Sequence, residues 1–237
     1  MQQVRKLLTS RKAREAAGLF VSDGTKLLKE AAAHCPGLET AFLCDGVEVE
    51  LPENVRVVRV SKEVMEAISP METPQGAVFL CRLPEKKSFV PEKGMLLLDG
   101  IQDPGNVGTI LRTADAFDCD GVFLVNACAD PYSPKTARAT MGAVFRRDVY
   151  QCMADELCAL LQKSNLPLYG TALRNDTVSL RDAELSRAAV AIGSEGRGLS
   201  AEILSKCEKT IKIPMSPRCE SLNAAVAASV VLWEMYR

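Results

Sequence analysis

Three stretches of this chain combine glycine, proline, amide, carboxylate and guanidinium groups at spacings that could hold a ligand. The first is Asp99-Gly-Ile-Gln-Asp-Pro-Gly-Asn-Val-Gly-Thr-Ile-Leu-Arg112. Its Gly/Pro-rich part reads as a turn between a strand and a helix starting near Asn106, which would aim backbone N–H groups at an anion. Arg112, six residues beyond Asn106, is expected to reach back along the helix toward the loop. The stretch lacks both the G-K-[ST] of a phosphate loop and the G-x-G-x-x-G of a dinucleotide site. An ordinary strand–helix turn with an exposed arginine fits the spacing equally well. The second stretch, Ala191-Ile-Gly-Ser-Glu-Gly-Arg-Gly-Leu-Ser200, holds Glu195 and Arg197 among three glycines. Such density points to close backbone approach or positive φ, with a tight charged surface turn as the plainer alternative. The third, Ile211-Lys-Ile-Pro-Met-Ser-Pro-Arg-Cys-Glu-Ser-Leu-Asn223, leads into an apolar helix for which Ser221 is the expected N-cap. Only one histidine is present, His34, so a Ser-His-Asp or Cys-His mechanism would have to use it, and a His-rich zinc site is excluded.

The elements that must position these loops alternate. Met95–Asp99 is a continuous apolar run ending in a carboxylate, the pattern of a buried parallel strand whose C-terminal end reaches a site. Further strands are expected at 121–125, 166–171, 188–192 and 210–213, and helices at 107–117, 134–145, 153–163, 200–206 and 221–236. The last helix is apolar all round and is expected to be buried on every side. Strand–helix alternation argues for an α/β domain with a parallel sheet. The first third also alternates: a helix over 2–17 ending at Gly18, strands at 19–21, 40–44, 55–60 and 77–81, and helices at 26–34 and from an N-cap at Ser61 to Ile68. Between the two parts, 84–94 has linker composition. The expected division is 1–83, linker 84–94, and 95–237.

The chain has 237 residues, 29 Lys+Arg against 30 Asp+Glu, and 47% apolar residues, an ordinary globular mix with a net charge of −1. This excludes disorder and diffuse electrostatic coating of nucleic acid. Charge is local instead: the first thirty residues hold seven Lys/Arg and three Asp/Glu. That is either a solvated helix face or a nucleic-acid arm. Nine cysteines, an odd number with no C-x-x-C, point to free thiols in a reducing compartment rather than to disulfides or a metal knuckle. No signal peptide and no membrane span are expected, so a cytoplasmic protein without metal is the reading.

Taken together, the three loops resemble the three motifs of the SpoU (TrmH-like) branch of the SPOUT RNA 2′-O-ribose methyltransferases. The first family pattern, D-x-x-x-D-P-x-N-x-G-x-x-x-R, is met by Asp99, Asp103, Pro104, Asn106, Gly108 and Arg112. The second, G-x-E-x-x-G-[LM], is met by Gly193, Glu195, Gly198 and Leu199, and the third by Ile213, Pro214, Met215, Ser221, Leu222 and Asn223. Tyr132–Ala143 is similar to the family's stretch between the first two motifs. More weakly, Arg11-Lys12-x-Arg14 followed by Gly18-x-Phe20-Val21-x-Asp23-Gly24 resembles the opening of a ribosomal-protein-like substrate-binding domain, with Asp23 where that domain usually has Glu.

The resemblance implies a parallel-sheet α/β knot, a deep trefoil knot, with a smaller N-terminal α/β sandwich. It implies S-adenosyl-L-methionine as cofactor, held near Gly193, Ile213, Met215 and Leu222, and a homodimer with the site near the subunit interface. The implied reaction is methyl transfer to a ribose 2′-OH of structured RNA, with ribosomal RNA ahead of transfer RNA as substrate. Family precedent makes Arg112 the base; because a guanidinium stays protonated, gripping a phosphate or stabilising the developing alkoxide is the conservative role. Asn106, Glu195, Ser221 and Asn223 would orient Arg112 and the ribose. RNA contacts are expected from Arg11, Lys12, Arg14, Lys135 and Arg138, with Arg146 and Arg147 close by in sequence. The alternatives are a non-catalytic RNA-binding homologue and, less consistent with the missing phosphate motifs, a nucleotide-dependent enzyme.

Overall fold

The computed structural model of the chain describes residues 1–85, 89, 91 and 93–237, so the linker expected over 84–94 lies partly outside the described residues. Two compact units emerge, each with its own sheet.

The first unit comprises 1–85 together with 130–146. Its elements are α1 (Gln2–Thr9), α2 (Arg11–Ala17), β1 (Leu19–Asp23), α3 (Thr25–His34), β2 (Leu38–Cys44), β3 (Arg56–Val60), α4 (Lys62–Ile68) and β4 (Ala77–Arg82). The sheet runs β1-β4-β2-β3, with β4 antiparallel to both neighbours and β2 parallel to β3. Apolar residues cover both faces: Phe20, Leu28, Leu43 and Phe79 belong to one cluster, Val4, Leu7, Val21, Met65, Ile68 and Val78 to the other. The helix expected over 2–17 is two helices. Ser10 has extended backbone and caps α2 by accepting from Ala13 N, and Gly18 ends α2 at φ 63°.

The segment 130–146 is the largest departure from the linear division. Tyr132, Ala137, Val144 and Phe145 complete the first cluster, with the Tyr132 ring 5.1 Å from that of Phe20. Two ion pairs fasten it, Arg14–Asp130 at 2.6 Å and Arg138–Asp23 at 3.0 Å, and Arg146 pairs with Glu30. The helix expected over 134–145 is shorter, α6 (Pro134–Ala139), followed by a 3₁₀ turn at Ala143–Phe145. Met141 and Gly142 break it with left-handed backbone, φ 51° and 98°.

The second unit holds β5 (Met95–Asp99), α5 (Pro104–Ala116), β6 (Gly121–Val125), β7 (Val149–Gln151), α7 (Ala154–Ser164), β8 (Leu168–Thr171), β9 (Val178–Ser179), β10 (Ala189–Gly193), α8 (Ala201–Lys206), β11 (Lys209–Lys212) and α9 (Ala224–Met235). Its seven strands are parallel in the order β7-β6-β5-β10-β8-β11-β9. β5 lies between β6 and β10, with Asp99 in register with Val125 and Gly193. That places the loops after β5, β6 and β10 at one end of the sheet, where parallel α/β sheets bind ligands. Phe89, within the expected linker, packs its ring 5.1 Å from Phe123 and 5.0 Å from Tyr150. Unlike the all-round burial expected of the last helix, α9 leaves Val226 49% and Trp233 62% exposed. No helix among the described residues is long and apolar enough to cross a membrane.

Candidate functional site

The first loop closes on a helix cap. Asp103 is the N-cap of α5, which starts at Pro104, close to the expected start: its Oδ1 accepts from Asn106 N at 2.8 Å, and Pro104 fills the first helical position. Asn106 therefore sits in the first turn, and capping makes no demand on its side chain. At the third loop the expected cap moves from Ser221 to Asn223, whose Oδ1 accepts from Ala225 N and Val226 N at the start of α9. Ser221 is exposed at the rim.

The two asparagines meet the glycine-rich loop at one atom. Glu195 Oε1 accepts from Asn106 Nδ2 at 3.1 Å, from Asn223 Nδ2 at 2.6 Å and from Ala224 N at 3.1 Å. Asn223 Nδ2 also donates to Asn106 Oδ1 at 3.0 Å. A carboxylate at the N-terminus of α9 is favoured by the helix dipole and by unpaired N–H groups. The loop itself is pinched shut. Ser194 N donates to Gly198 O at 3.1 Å and Gly198 N to Ser194 O at 2.8 Å. A Cβ on Gly193 would lie 2.2 Å from the carbonyl carbon of Gly198, so only glycine fits there.

Two clefts flank Glu195. The larger, about 610 Å³, is lined by Gly193, Ile213, Met215 and Leu222, all four expected cofactor contacts, with Leu173, Ser221 and Ala227 among their neighbours. The smaller, about 360 Å³, is lined by Asp99, Gln102, Asp103, Asn106, Asn126, Arg197 and Ser200. Ser194, Glu195, Gly198 and Ala224 line both and so form the wall between them. Volume and lining of the larger cleft suit an organic cofactor: apolar side chains with backbone N–H and C=O groups as the polar anchors. No cluster of His, Cys, Asp and Glu able to hold a metal occurs among the described residues.

Arg112 does not join this group. It is exposed on α5, lines neither cleft, and has no hydrogen bond or ion pair among the described residues. Six residues of α-helix turn through about 600°, which sets Arg112 about 120° away from Asn106 rather than above it. The expected RNA contacts also divide. Lys12 and Lys135 are exposed, and Arg11 is exposed with a pair to Glu15. Arg14 is 4% exposed, donates to Leu7 O and pairs with Asp130, so RNA contact from it is ruled out by burial. Arg138 is tied to Asp23, Arg146 to Glu30, and Arg147 to Asp115 and Asp118. Asp23 therefore serves packing: burial pushes its carboxyl up, and Arg138 opposes that. His34 ends α3 in the other unit. Asn126 and Ser200 were missed from sequence, although Asn126 directly follows β6 and Ser200 ends the loop after β10 as the N-cap of α8, and loops at the C-terminal ends of parallel strands are the signal that could have found them.

Comparison with known proteins gives these clefts a setting. The SpoU rRNA Methylase family profile matches residues 93–233, and the MRM3-like substrate binding domain matches 1–78. The 23S rRNA (guanosine(2553)-2′-O)-methyltransferase RlmP of Bacillus subtilis strain 168 is 32% identical over 97% of this chain and 93% of its own. The AdoMet-bound rRNA methyltransferase from Sinorhizobium meliloti superposes with a TM-score of 0.87 at 27% identity, over 99% of this chain and 92% of that one. The SpoU methyltransferase AviRb from Streptomyces viridochromogenes, in complex with AdoMet, gives 0.88 at 25% identity, over 100% and 96%.

Proposed function

The chain belongs to the SpoU rRNA methylase family, and from that premise we propose that it transfers the methyl group of S-adenosylmethionine to a ribose 2′-hydroxyl of ribosomal RNA. One observation carries the reading: Asn106, Glu195 and Asn223 converge between two clefts, the larger of which is lined by all four expected cofactor residues. The cofactor supplies an activated methyl group on a sulfonium. Gly193, Ile213, Met215 and Leu222 would hold it in the larger cleft, and the acceptor ribose would enter the smaller one. Catalysis would then rest on alignment where the two clefts adjoin: the methyl–sulfur bond breaks as the oxygen–methyl bond forms, and the hydroxyl proton leaves to water. Asn106, which lines the smaller cleft and is held by Glu195 and Asn223, orients the ribose, with Ser221 at the rim of the larger one.

Arg112 reaches this site from a second copy of the chain. Thr109, Arg112 and Ala116 are exposed at helical spacing on α5, beside the exposed Val226 and Trp233 of α9. A homodimer formed on that face covers the apolar residues and brings Arg112 to its partner's clefts. The family's trefoil knot belongs to this reading, as do the division into 1–83, 84–94 and 95–237, a cytoplasmic location, and an RNA grip by Arg11, Lys12 and Lys135. The competing reading, an RNA-binding homologue without activity, draws on Arg112 lying outside the clefts of its own chain.

Incubation with methyl-labelled S-adenosylmethionine and either unmodified 23S rRNA or unmodified transfer RNA, followed by nucleoside analysis, tests the proposal. A labelled 2′-O-methyl nucleoside is the expected product. Label on a base, or on transfer RNA alone, would overturn the substrate assignment; cofactor binding without transfer to any RNA would favour the non-catalytic reading.

A further inference from the structure

Asp99 is a carboxylate buried at the head of the central strands, 2% exposed and without a paired cation among the described residues. Burying a charge in this way is costly unless the charge is hydrogen-bonded. Both oxygens are used, and both partners are N–H donors: Asn126 Nδ2 reaches Oδ1 at 2.8 Å, and Ser200 N reaches Oδ2 at 2.6 Å. Asn126 Nδ2 also donates to Ser200 Oγ at 3.2 Å, and that hydroxyl caps α8 by accepting from Ile203 N. Asn126 and the next residue, Ala127, both have left-handed backbone, φ 52° and 58°. Two such residues in succession are uncommon outside glycine, and the conformation is held while it presents the amide to Asp99.

Ser200 closes the loop that begins at Gly193 and carries Glu195. Asp99 therefore fastens one end of that loop to the ends of β5 and β6, while Asn106 and Asn223 fasten Glu195. We propose that Asp99 is a positioning residue: through Ser200 and Asn126 it sets where Glu195 and the wall between the two clefts stand. The kinetic consequence rests on the methyltransferase reading; the positioning itself does not.

The test uses donor–acceptor exchange. In Asp99→Asn the introduced NH2 faces a donor. Combining Asp99→Asn with Asn126→Asp lets the introduced amide donate to the introduced carboxylate and still accept from Ser200 N. Hydrogen exchange of peptides covering 194–200 is expected to quicken about tenfold in the single variant, with other segments unchanged, and to recover in the pair. On 23S rRNA, kcat is expected to fall about a hundredfold in the single variant. The KM for S-adenosylmethionine is expected to stay within about threefold. The paired variant is expected to return within about fivefold of the wild-type kcat. Wild-type exchange and kcat in Asp99→Asn would overturn the proposal. So would faster exchange throughout the second unit, or a paired variant as slow as the single. A wild-type chain that methylates no RNA would sink the enzymatic reading instead, and the exchange pattern alone would then decide the positioning.

Discussion

One oxygen of Glu195 holds three donors, so the kind of atom at that position matters more than its charge. Glu195→Gln keeps the acceptor and loses the negative charge at the start of α9, which is expected to cost less than about 1 kcal/mol. Glu195→Ala leaves Asn106, Asn223 and Ala224 N without their partner and is expected to cost about 2 kcal/mol. Urea denaturation of both variants checks this, and equal losses would show that charge dominates. Arg112 behaves differently because nothing holds it. Arg112→Ala is expected to lower kcat by about a hundredfold through lost stabilisation of the developing alkoxide. Cofactor affinity, measured by calorimetry, is expected to stay within about twofold; a lost cofactor site in a folded variant would contradict the assignment. The residues around the clefts were legible because motif spacing names them. The meeting of Asn106 and Asn223 at a single oxygen was not, since it depends on how three loops 89 and 28 residues apart in sequence fold together. Arg112 lies off the face that carries Asn106 because six residues of helix turn it about 120° away. Ser221 lost the cap to Asn223 because either side chain suits an N-cap and only the backbone decides.

At the level of elements, the same basic motif holds two different kinds of residue. On α2, Lys12 is exposed while Arg14 is buried against Asp130. Removing Arg14 leaves a largely buried carboxylate unpaired, so Arg14→Ala is expected to destabilise the chain by about 3 kcal/mol. Lys12→Ala is expected to change stability by no more than about 0.5 kcal/mol. RNA affinity, measured by filter binding on folded protein, is expected to rank them the other way: weakened by Lys12→Ala and unchanged by Arg14→Ala. A basic cluster shows in sequence, but which of its members points inward depends on Asp130, a residue from the distant segment 130–146. Strands buried on both faces were readable as apolar runs, and β5 and β6 match their expected spans residue for residue. The short strands β7 and β9, at the two sheet edges, have three and two residues and offer too little pattern to detect. Helix breaks at Ser10 and at Met141–Gly142 carry local signals, a capping serine and a glycine, but such residues also occur inside helices, and packing decides the backbone conformation that ends each one.

On the scale of the whole molecule, a net charge of −1 leaves RNA binding to a few exposed cations rather than to a general field. Binding is therefore expected to weaken with salt at a shallow slope, about 0.7–0.9 per phosphate contact on log–log axes, so that three contacts give a slope near −2 to −3. A salt-independent affinity would contradict the proposed grip by Arg11, Lys12 and Lys135. The face formed by α5 and α9 asks for a partner of another kind. Trp233 is 62% exposed, its ring 6.0 Å from that of Phe117, and Val226, about two helical turns earlier, is 49% exposed. Arg112 is exposed on α5 as well, and in the proposed homodimer a second copy covering the apolar residues would meet the guanidinium that its own chain leaves idle. Exposed aromatic anchors of this kind concentrate binding energy. Trp233→Glu places an unpaired charge at that anchor while its side chain points to solvent in the single chain, so the fold is expected to survive. Sedimentation at about 10 µM is expected to give twice the chain mass for the wild type and the chain mass for the variant, as for an interface of standard size. Methyl transfer should fall with the dimer, whereas circular dichroism and cofactor binding stay. A wild-type monomer that is fully active would refute both the interface and the role of Arg112 across it.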